Sequence, residues 1–268
     1  MIKLIMSDMD GTLLDGEGKI PAEFAEIAEL LQKHQVQFAP ASGRQYYALL
    51  KQFPEYEDRF VFIADNGTDM RYQGRELYAS VIKDETARGI LAAVENLSGI
   101  YPVFCGKKSA YVTTDYQPFL VELEKYYTQY KLVKSFAEVE DEPIKISFFF
   151  AGSEAGAAAQ IEPVMKPFAA EVQVVLSKKF IDVTNKGINK GTAVKELQRI
   201  LKVKPEECAA FGDYLNDVGM MEAVYYSYAM KNAHPELKKV TRFVTEKTNL
   251  EHGELATIRE FAAKGLLG

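Results

Sequence analysis

Only two cysteines, Cys105 and Cys208, occur in the 268 residues. They lie far apart and each sits in an apolar run, so a structural disulfide is not expected and a reducing, cytoplasmic setting is. No apolar run is long enough to cross a bilayer, and Met1-Ile2-Lys3 leads straight into a predicted strand without the marks of a signal peptide, so no membrane partner is expected. Positive charge is in deficit. With 32 Lys and Arg against 38 Asp and Glu the net charge is −6, which argues against a nucleic-acid partner while leaving room for local positive pockets. Internal repeats and low-complexity tracts are also missing. What remains is an ordinary globular composition, 47% hydrophobic and 26% charged, in a length that suits one large or two modest domains.

The chain is organised around Lys3-Leu4-Ile5-Met6-Ser7-Asp8-Met9-Asp10-Gly11-Thr12-Leu13-Leu14. An apolar run of this kind reads as a buried parallel strand, and it stops at two carboxylates, a glycine and a threonine. In an extended segment residues two apart share a face, so Asp8 and Asp10 are expected to point into one small space. Two acids so placed repel each other unless a cation, a proton or a positive side chain intervenes, and a hard dication such as Mg²⁺ is the usual solution. Taken alone, Asp-x-Asp-Gly is also a common surface turn; its position at the carboxyl end of a strand, where α/β sheets bind ligands, favours a site.

Pro21 opens a helix with Phe24, Ile27, Ala28 and Leu31 at helical spacing, and Val36 to Ala39 reads as a second strand. It runs into Pro40-Ala41-Ser42-Gly43-Arg44 ahead of another helix, where a hydroxyl and backbone N–H groups offer either an anion site or an ordinary helix cap. A third strand, Phe60 to Ala64, ends at Asp65-Asn66-Gly67, a turn signal or a substrate contact. Met70 to Val81, with Gln73-Gly74 at its middle, predicts a hairpin. From about residue 83 the texture changes. Helices over Thr86–Leu97, Tyr116–Tyr130 and Glu154–Phe168 are expected among strands at Tyr101–Cys105, Ser109–Val112, Lys145–Ala151, Glu171–Leu176 and Lys179–Val183. This pattern predicts an inserted α/β module over 83–183, its dense aromatics forming its own core, with 1–82 and 184–268 forming the main domain.

After residue 183 the opening texture returns. Lys190 falls in the first turn of a helix, against the helix macrodipole, a conflict that solvent exposure or a nearby phosphate would remove. Glu207 to Phe211 is a strand ending at Gly212-Asp213-Tyr214-Leu215-Asn216-Asp217, a third strand end with acids, although Asp217 could serve only as an N-terminal helix acid. Tyr225–Ala229 and Thr241–Thr245 predict further strands, and Gly253–Lys264 a closing helix.

Taken in order, Asp8-x-Asp10-Gly-Thr, Ser42-Gly-Arg, Lys190-Gly and Gly-Asp213-Tyr-Leu-Asn216-Asp217 resemble the four motifs of the haloacid dehalogenase superfamily. The insert, with Asn66-Gly67, Asn189-Lys190-Gly191 and Asn232-Ala233, is similar to the Cof-type branch (subfamily IIB), which carries a C2B α/β cap. The resemblance implies an α/β, Rossmann-like doubly wound parallel sheet with an inserted cap. It also implies a Mg²⁺-dependent, cytoplasmic bacterial phosphatase for a small phosphorylated metabolite, working as a monomer or weak dimer. Carried over, Asp8 is the nucleophile and Asp10 the general acid and base. Mg²⁺ falls to the Asp8 side chain, the Asp10 main-chain carbonyl and Asp213. Ser42, Gly43, Lys190 and Asn216 fall at the phosphate, with Asp217, Arg44 and Asn66 in support.

Two positions depart from the pattern. Ser7 stands where a larger apolar residue is usual, and Glu251-His252-Gly253-Glu254 only partly follows the common Asp-Gly-Val. Ala41 to Tyr47 is similar to Cof-type members acting on sugar phosphates, which ranks those substrates first, ahead of pyridoxal phosphate, flavin mononucleotide and nucleotides. A phosphomutase, a phospho-acceptor signalling domain and a metabolite-binding protein are the competing readings. Leaving-group selection is expected of the insert, with Cys105 to Lys108, Tyr111 and Lys178-Lys179 as candidates.

Overall fold

A computed structural model describes residues 1–177 and 180–268, so Lys178 and Lys179 lie outside the described residues. The chain divides into two compact units, one of residues 1–78 and 189–268 and one of residues 79–188, where the texture of the sequence draws the division at 82/83 and 183/184.

The first unit begins with β1 (Leu4–Asp8), α1 (Phe24–Lys33), β2 (Gln37–Ala41), α2 (Tyr46–Leu50), β3 (Val61–Ala64), β4 (Asp69–Tyr72) and β5 (Arg75–Ala79). The predicted hairpin forms: β4 and β5 flank Gln73 and Gly74, both at positive φ (53° and 69°), the backbone a tight hairpin turn demands. The second unit supplies α3 (Asp84–Val94), β6 (Ile100–Gly106), β7 (Ala110–Val112), α4 (Gln117–Leu123), β8 (Tyr130–Leu132), β9 (Pro143–Phe150), α5 (Glu154–Met165), β10 (Val172–Ser177) and β11 (Phe180–Asn185). The first unit is completed by α6 (Lys190–Leu201), β12 (Cys208–Gly212), α7 (Val218–Glu222), β13 (Tyr226–Ala229), α8 (Pro235–Val240), β14 (Phe243–Val244) and α9 (Gly253–Ala263).

The first unit's sheet has the order β14-β13-β12-β1-β2-β3-β4-β5, parallel from β14 to β3 and antiparallel at β3/β4. All five residues of β1 are buried, as a central parallel strand covered on both faces must be. On α1 the predicted stripe of Phe24, Ile27, Ala28 and Leu31 is the buried one, and Phe24 packs on Phe38 of β2 at 5.3 Å between ring centroids. Each such side chain contributes about 1.5–3 kcal/mol by leaving water. The chain runs outward from β1 through β2 and β3, and outward the other way from β12 through β13 and β14. Ligands in such sheets sit beyond the carboxyl ends where the order reverses, here at β1 and β12.

The second unit's sheet has the order β10-β11-β9-β6-β7-β8, antiparallel except at β7/β8. Strand alternation sorts its aromatics: Phe148 and Phe150 join the core that contains Ile90 of α3 and Ile161 of α5, while Phe149 joins the one that contains Phe119 of α4. The expected helix over Tyr116–Tyr130 is a correction. It ends at Leu123, and Tyr130 begins a strand whose first residue pairs with Ala110. Tyr126, Tyr127 and Tyr130 imitate helical spacing, but Tyr126 and Tyr127 pack against Phe180 of β11 at 5.4 and 6.1 Å, a demand of the sheet face that overrides the local pattern. Two of the candidate leaving-group contacts are engaged within this unit. Cys105 is buried with its thiol 3.4 Å from the Tyr127 hydroxyl, and Tyr111 donates to Asp141 at 3.1 Å.

Candidate active site

The end of β1 brings the reactive groups together, though not the two acids that the motif pairs. Asp8 is the last strand residue and its carboxylate is buried. After it the backbone leaves the strand: Asp10 has φ −78° and ψ 110°, and Gly11 has φ 90°. The turn carries the Asp10 carboxylate away from Asp8 and out to Arg44, which holds it by Nη2 at 2.7 and 3.0 Å and Nε at 3.2 Å. The expectation that Asp8 and Asp10 share one small space is therefore corrected, because strand alternation ends one residue too early to apply.

Asp8 instead shares its space with Asp213 and Asp217, whose carboxylate oxygens lie with its own within 4.8 Å of one another. Lys190 enters this group, its ammonium bonding to Asp8 and, at 2.7 Å, to Asp217. The lysine side chain is fully buried, so the clash with the helix dipole is resolved by neither water nor solvent exposure. Two carboxylates resolve it. Close packing seats the residue: a side chain at Gly191 would collide with the Gly219 carbonyl of α7, so α6 and α7 approach backbone to backbone directly beside Lys190. Asn189 caps α6, accepting from the Thr192 N–H at 3.1 Å.

Asp217 is more than a helix-end acid. Fully buried, it accepts from the backbone N–H of Asp213 at 3.1 Å and of Tyr214 at 3.2 Å, which fixes the loop after β12. Burial raises the Asp8 carboxyl well above the ordinary range; Asp217 and Asp213 add to this and Lys190 opposes it. Burial pulls the Lys190 ammonium down, but Asp217 and Asp8 outweigh it and the net shift is upward. We take the lysine as charged, because the excess lies with the acids: three carboxylates face one ammonium. Three carboxylates thus converge on one point beside a single ammonium. A divalent cation takes oxygen ligands of this kind at this spacing. The fit extends to Gly11, where any Cβ would collide with the Asp213 carboxylate, so the glycine keeps the acid in place beside the turn.

The loops after β2 and β3 adjoin. In the β1/β2 register Asp8 pairs with Ala41, which puts Ser42 next along the sheet. Ser42 does not cap α2 as a helix end would require; its hydroxyl accepts from the Arg44 N–H at 3.2 Å, and its carbonyl accepts from the Asn66 N–H at 2.9 Å. A Cβ at Gly43 would stand 3.0 Å from the Asn66 amide nitrogen. Asn66, at φ 56°, accepts from the Asn216 amide at 3.4 Å, so Ser42, Gly43, Asn66 and Asn216 form one rim. Two further residues join the site, both within the quoted motifs but given no role there. Thr12 donates to Asp213 at 3.5 Å, and Asn232 donates to the Gly11 carbonyl at 2.8 Å while accepting from the Asn249 N–H at 3.0 Å. Asn232 lies over 200 residues from Gly11, and only the family pattern around Asn232-Ala233 hints at it.

A reversal of strand order with clustered acids and a lysine at its carboxyl ends is where α/β enzymes hold their ligands. Residues 5–254 match the family described as haloacid dehalogenase-like hydrolase. The chain belongs to this family and is a Cof-type phosphatase. It is 26% identical over 254 residues to the 5-amino-6-(5-phospho-D-ribitylamino)uracil phosphatase YbjI of Escherichia coli, covering 93% of each chain. Phosphatase YwpJ of Bacillus subtilis is 28% identical over 283 residues, covering 94% of this chain and 97% of the relative. Among solved structures, SMU.1108c from Streptococcus mutans superposes with a TM-score of 0.87 at 25% identity, covering 98% of this chain and 100% of that one. No helix of the described residues is long and apolar enough to cross a membrane.

Proposed function

We propose that the chain is a Mg²⁺-dependent phosphatase of small phosphorylated metabolites, with sugar phosphates first, acting through an aspartyl-phosphate on Asp8. The observation that carries this reading is the Lys190 ammonium bridging Asp8 and Asp217 at the carboxyl ends of β1 and β12, with Asp213 in the same cluster.

The Asp8 side chain, the Asp10 main-chain carbonyl and Asp213 would hold the metal. A Mg²⁺ held there would offset the repulsion between the Asp8 carboxylate and a phosphate dianion. An Asp8 oxygen attacks phosphorus in line as the bond to the leaving alcohol breaks, and Asp10 gives that alcohol its proton. Asp10 then takes a proton from water, whose oxygen bonds to phosphorus as the bond to Asp8 breaks. To act as the acid, Asp10 leaves Arg44, takes up a proton from the solvent that reaches its half-exposed carboxyl, and turns to the leaving oxygen. Ser42, the Gly43 N–H, Lys190 and Asn216 meet the non-bridging oxygens, while Asp217 orients Lys190, and Arg44 and Asn66 support the rim. Lys190 is already aimed at Asp8, so its positive charge is in place before the phosphate arrives.

Sugar phosphates rank first on the likeness of Ala41 to Tyr47 to Cof-type members that act on them. The Escherichia coli relative is named for a substrate bearing its phosphate on a ribityl group, so ribityl phosphates belong in the same panel. The test is phosphate release from sugar phosphates, ribityl phosphates, pyridoxal phosphate, flavin mononucleotide and p-nitrophenyl phosphate, with Mg²⁺ and with chelator. Metal-dependent release is expected. Silence across the panel from folded protein, or transfer of the phosphate back to substrate without release, overturns the reading.

A further inference from the structure

The two departures from the family pattern meet each other. Ser7 and Glu254 are both buried, at 0% and 1% exposed, and the Ser7 hydroxyl lies 2.7 Å from Glu254 Oε2 and 2.8 Å from the Asp8 main-chain oxygen. A serine hydroxyl owns one proton, and both neighbours are pure acceptors if Glu254 is a carboxylate. The two bonds coexist only if Glu254 brings a proton of its own.

The surroundings agree. Glu254 Oε1 has no hydrogen-bond partner among the described residues, a state far less costly for the carbonyl of a neutral acid than for half of a buried carboxylate. Among the described residues no cation is hydrogen-bonded or ion-paired to Glu254. Asp8 on β1 is an acid, and Asp10 in the turn beyond it faces Arg44. Glu23 pairs with His252, Glu26 of α1 pairs with Arg259 of α9, and Glu251 is bonded to Thr248. Burial pushes the Glu254 carboxyl up to about 8, with the Ser7 bond opposing and the Asp8 charge adding.

We infer that Glu254 is a positioning residue that works as a neutral acid: it donates to Ser7, which donates to the Asp8 carbonyl and so fixes the strand end that presents the reacting carboxylate. When Glu254 loses its proton, Ser7 turns its hydroxyl to the carboxylate and the Asp8 carbonyl loses that donor. The inference rests on Asp8 being the reacting group, so its test carries a readout that needs no turnover.

The activity arm measures kcat and KM for p-nitrophenyl phosphate with Mg²⁺ over pH 6–10 in wild type, E254Q and S7A. Wild-type kcat is expected to fall by about fivefold as pH passes through the Glu254 range, the rate equivalent of one hydrogen bond, with KM unmoved. E254Q, whose amide donates as the acid does, lacks that alkaline limb. S7A shows the lowered kcat throughout and no limb. An identical limb in wild type and E254Q overturns the inference. The second arm follows Tm against pH. A carboxyl raised in the folded state stabilises at low pH, and that stability is lost as pH rises from the ordinary glutamate range to the folded value, about 8. Glu254→Gln should therefore gain in Tm over wild type from pH 5 to 8 and level off above. A difference that stays constant from pH 5 to 9 overturns the neutral acid whatever the enzyme turns over. The expected Tm curve in protein that releases no phosphate would instead count against the phosphatase reading alone.

Discussion

Replacing Lys190 by methionine removes the one ammonium set among three carboxylates and leaves a side chain of similar length. The side chains of Lys190 and Asp217 are fully buried and that of Asp8 is 11% exposed, so water cannot take over the lysine's role. Removing one partner of a buried ion pair costs about 3–5 kcal/mol, because the remaining charges are stranded. In a chain of this size that lowers Tm by about 6–20 °C. The penalty should shrink on acidification. The Asp8 carboxyl is already raised by burial and by Asp217 and Asp213, and losing Lys190 raises it further, so the stranded charge is relieved as pH falls and grows as pH rises. The assay is thermal unfolding of wild type and K190M, followed by circular dichroism from pH 5 to pH 8. A K190M protein within 2 °C of wild type at pH 8, on the scale of a sub-kcal/mol surface change, would show that the cluster is not the buried charge assembly described.

Other substitutions probe the same strand end. Asp10→Asn keeps the shape while removing the carboxyl proposed to carry the proton, and should lower kcat by about 10²–10⁴-fold in steady-state assays with little change in Tm; an unchanged rate removes the acid and base role. Gly11→Ala adds a Cβ where φ is 90° and the Asp213 carboxylate already stands. It should cost about 1–3 kcal/mol in unfolding free energy and abolish the response of activity to added Mg²⁺; a variant with wild-type metal dependence contradicts the placement of Asp213.

Much of the first unit is legible in the amino-acid sequence. The apolar run ending at Asp8, the stripe on α1 and the strand ending at Gly212 are periodic signals, and periodicity survives folding unchanged. The three strand ends that carry Asp8, Ser42 and Asp213 come to neighbouring positions because β2, β1 and β12 lie side by side, which follows from parallel α/β topology. The direction of Asp10 is not legible, since it depends on where strand geometry stops, a matter of one residue. Lys190 looks misplaced in the sequence for a related reason: its partners Asp8 and Asp217 are 182 and 27 residues away, and no local rule registers them. Asp217 reads as a helix-end acid by position, whereas its burial and its bonds to the loop backbone are tertiary. In the second unit, Tyr126, Tyr127 and Tyr130 carry helix-like spacing into a segment that the sheet claims. Ser7 and Glu254 are visible as departures from a pattern, but only the fold joins them.

The central claim is that Asp8 becomes phosphorylated. Wild type and D8N would be mixed with a ³²P-labelled substrate from the active panel in the presence of Mg²⁺, quenched in acid within milliseconds to seconds, and the protein digested and mapped. Transient label is predicted on the peptide containing Asp8 in wild type, lost at the rate of phosphate release, with neither label nor release in D8N. Phosphate release by D8N at the wild-type rate would contradict the claim.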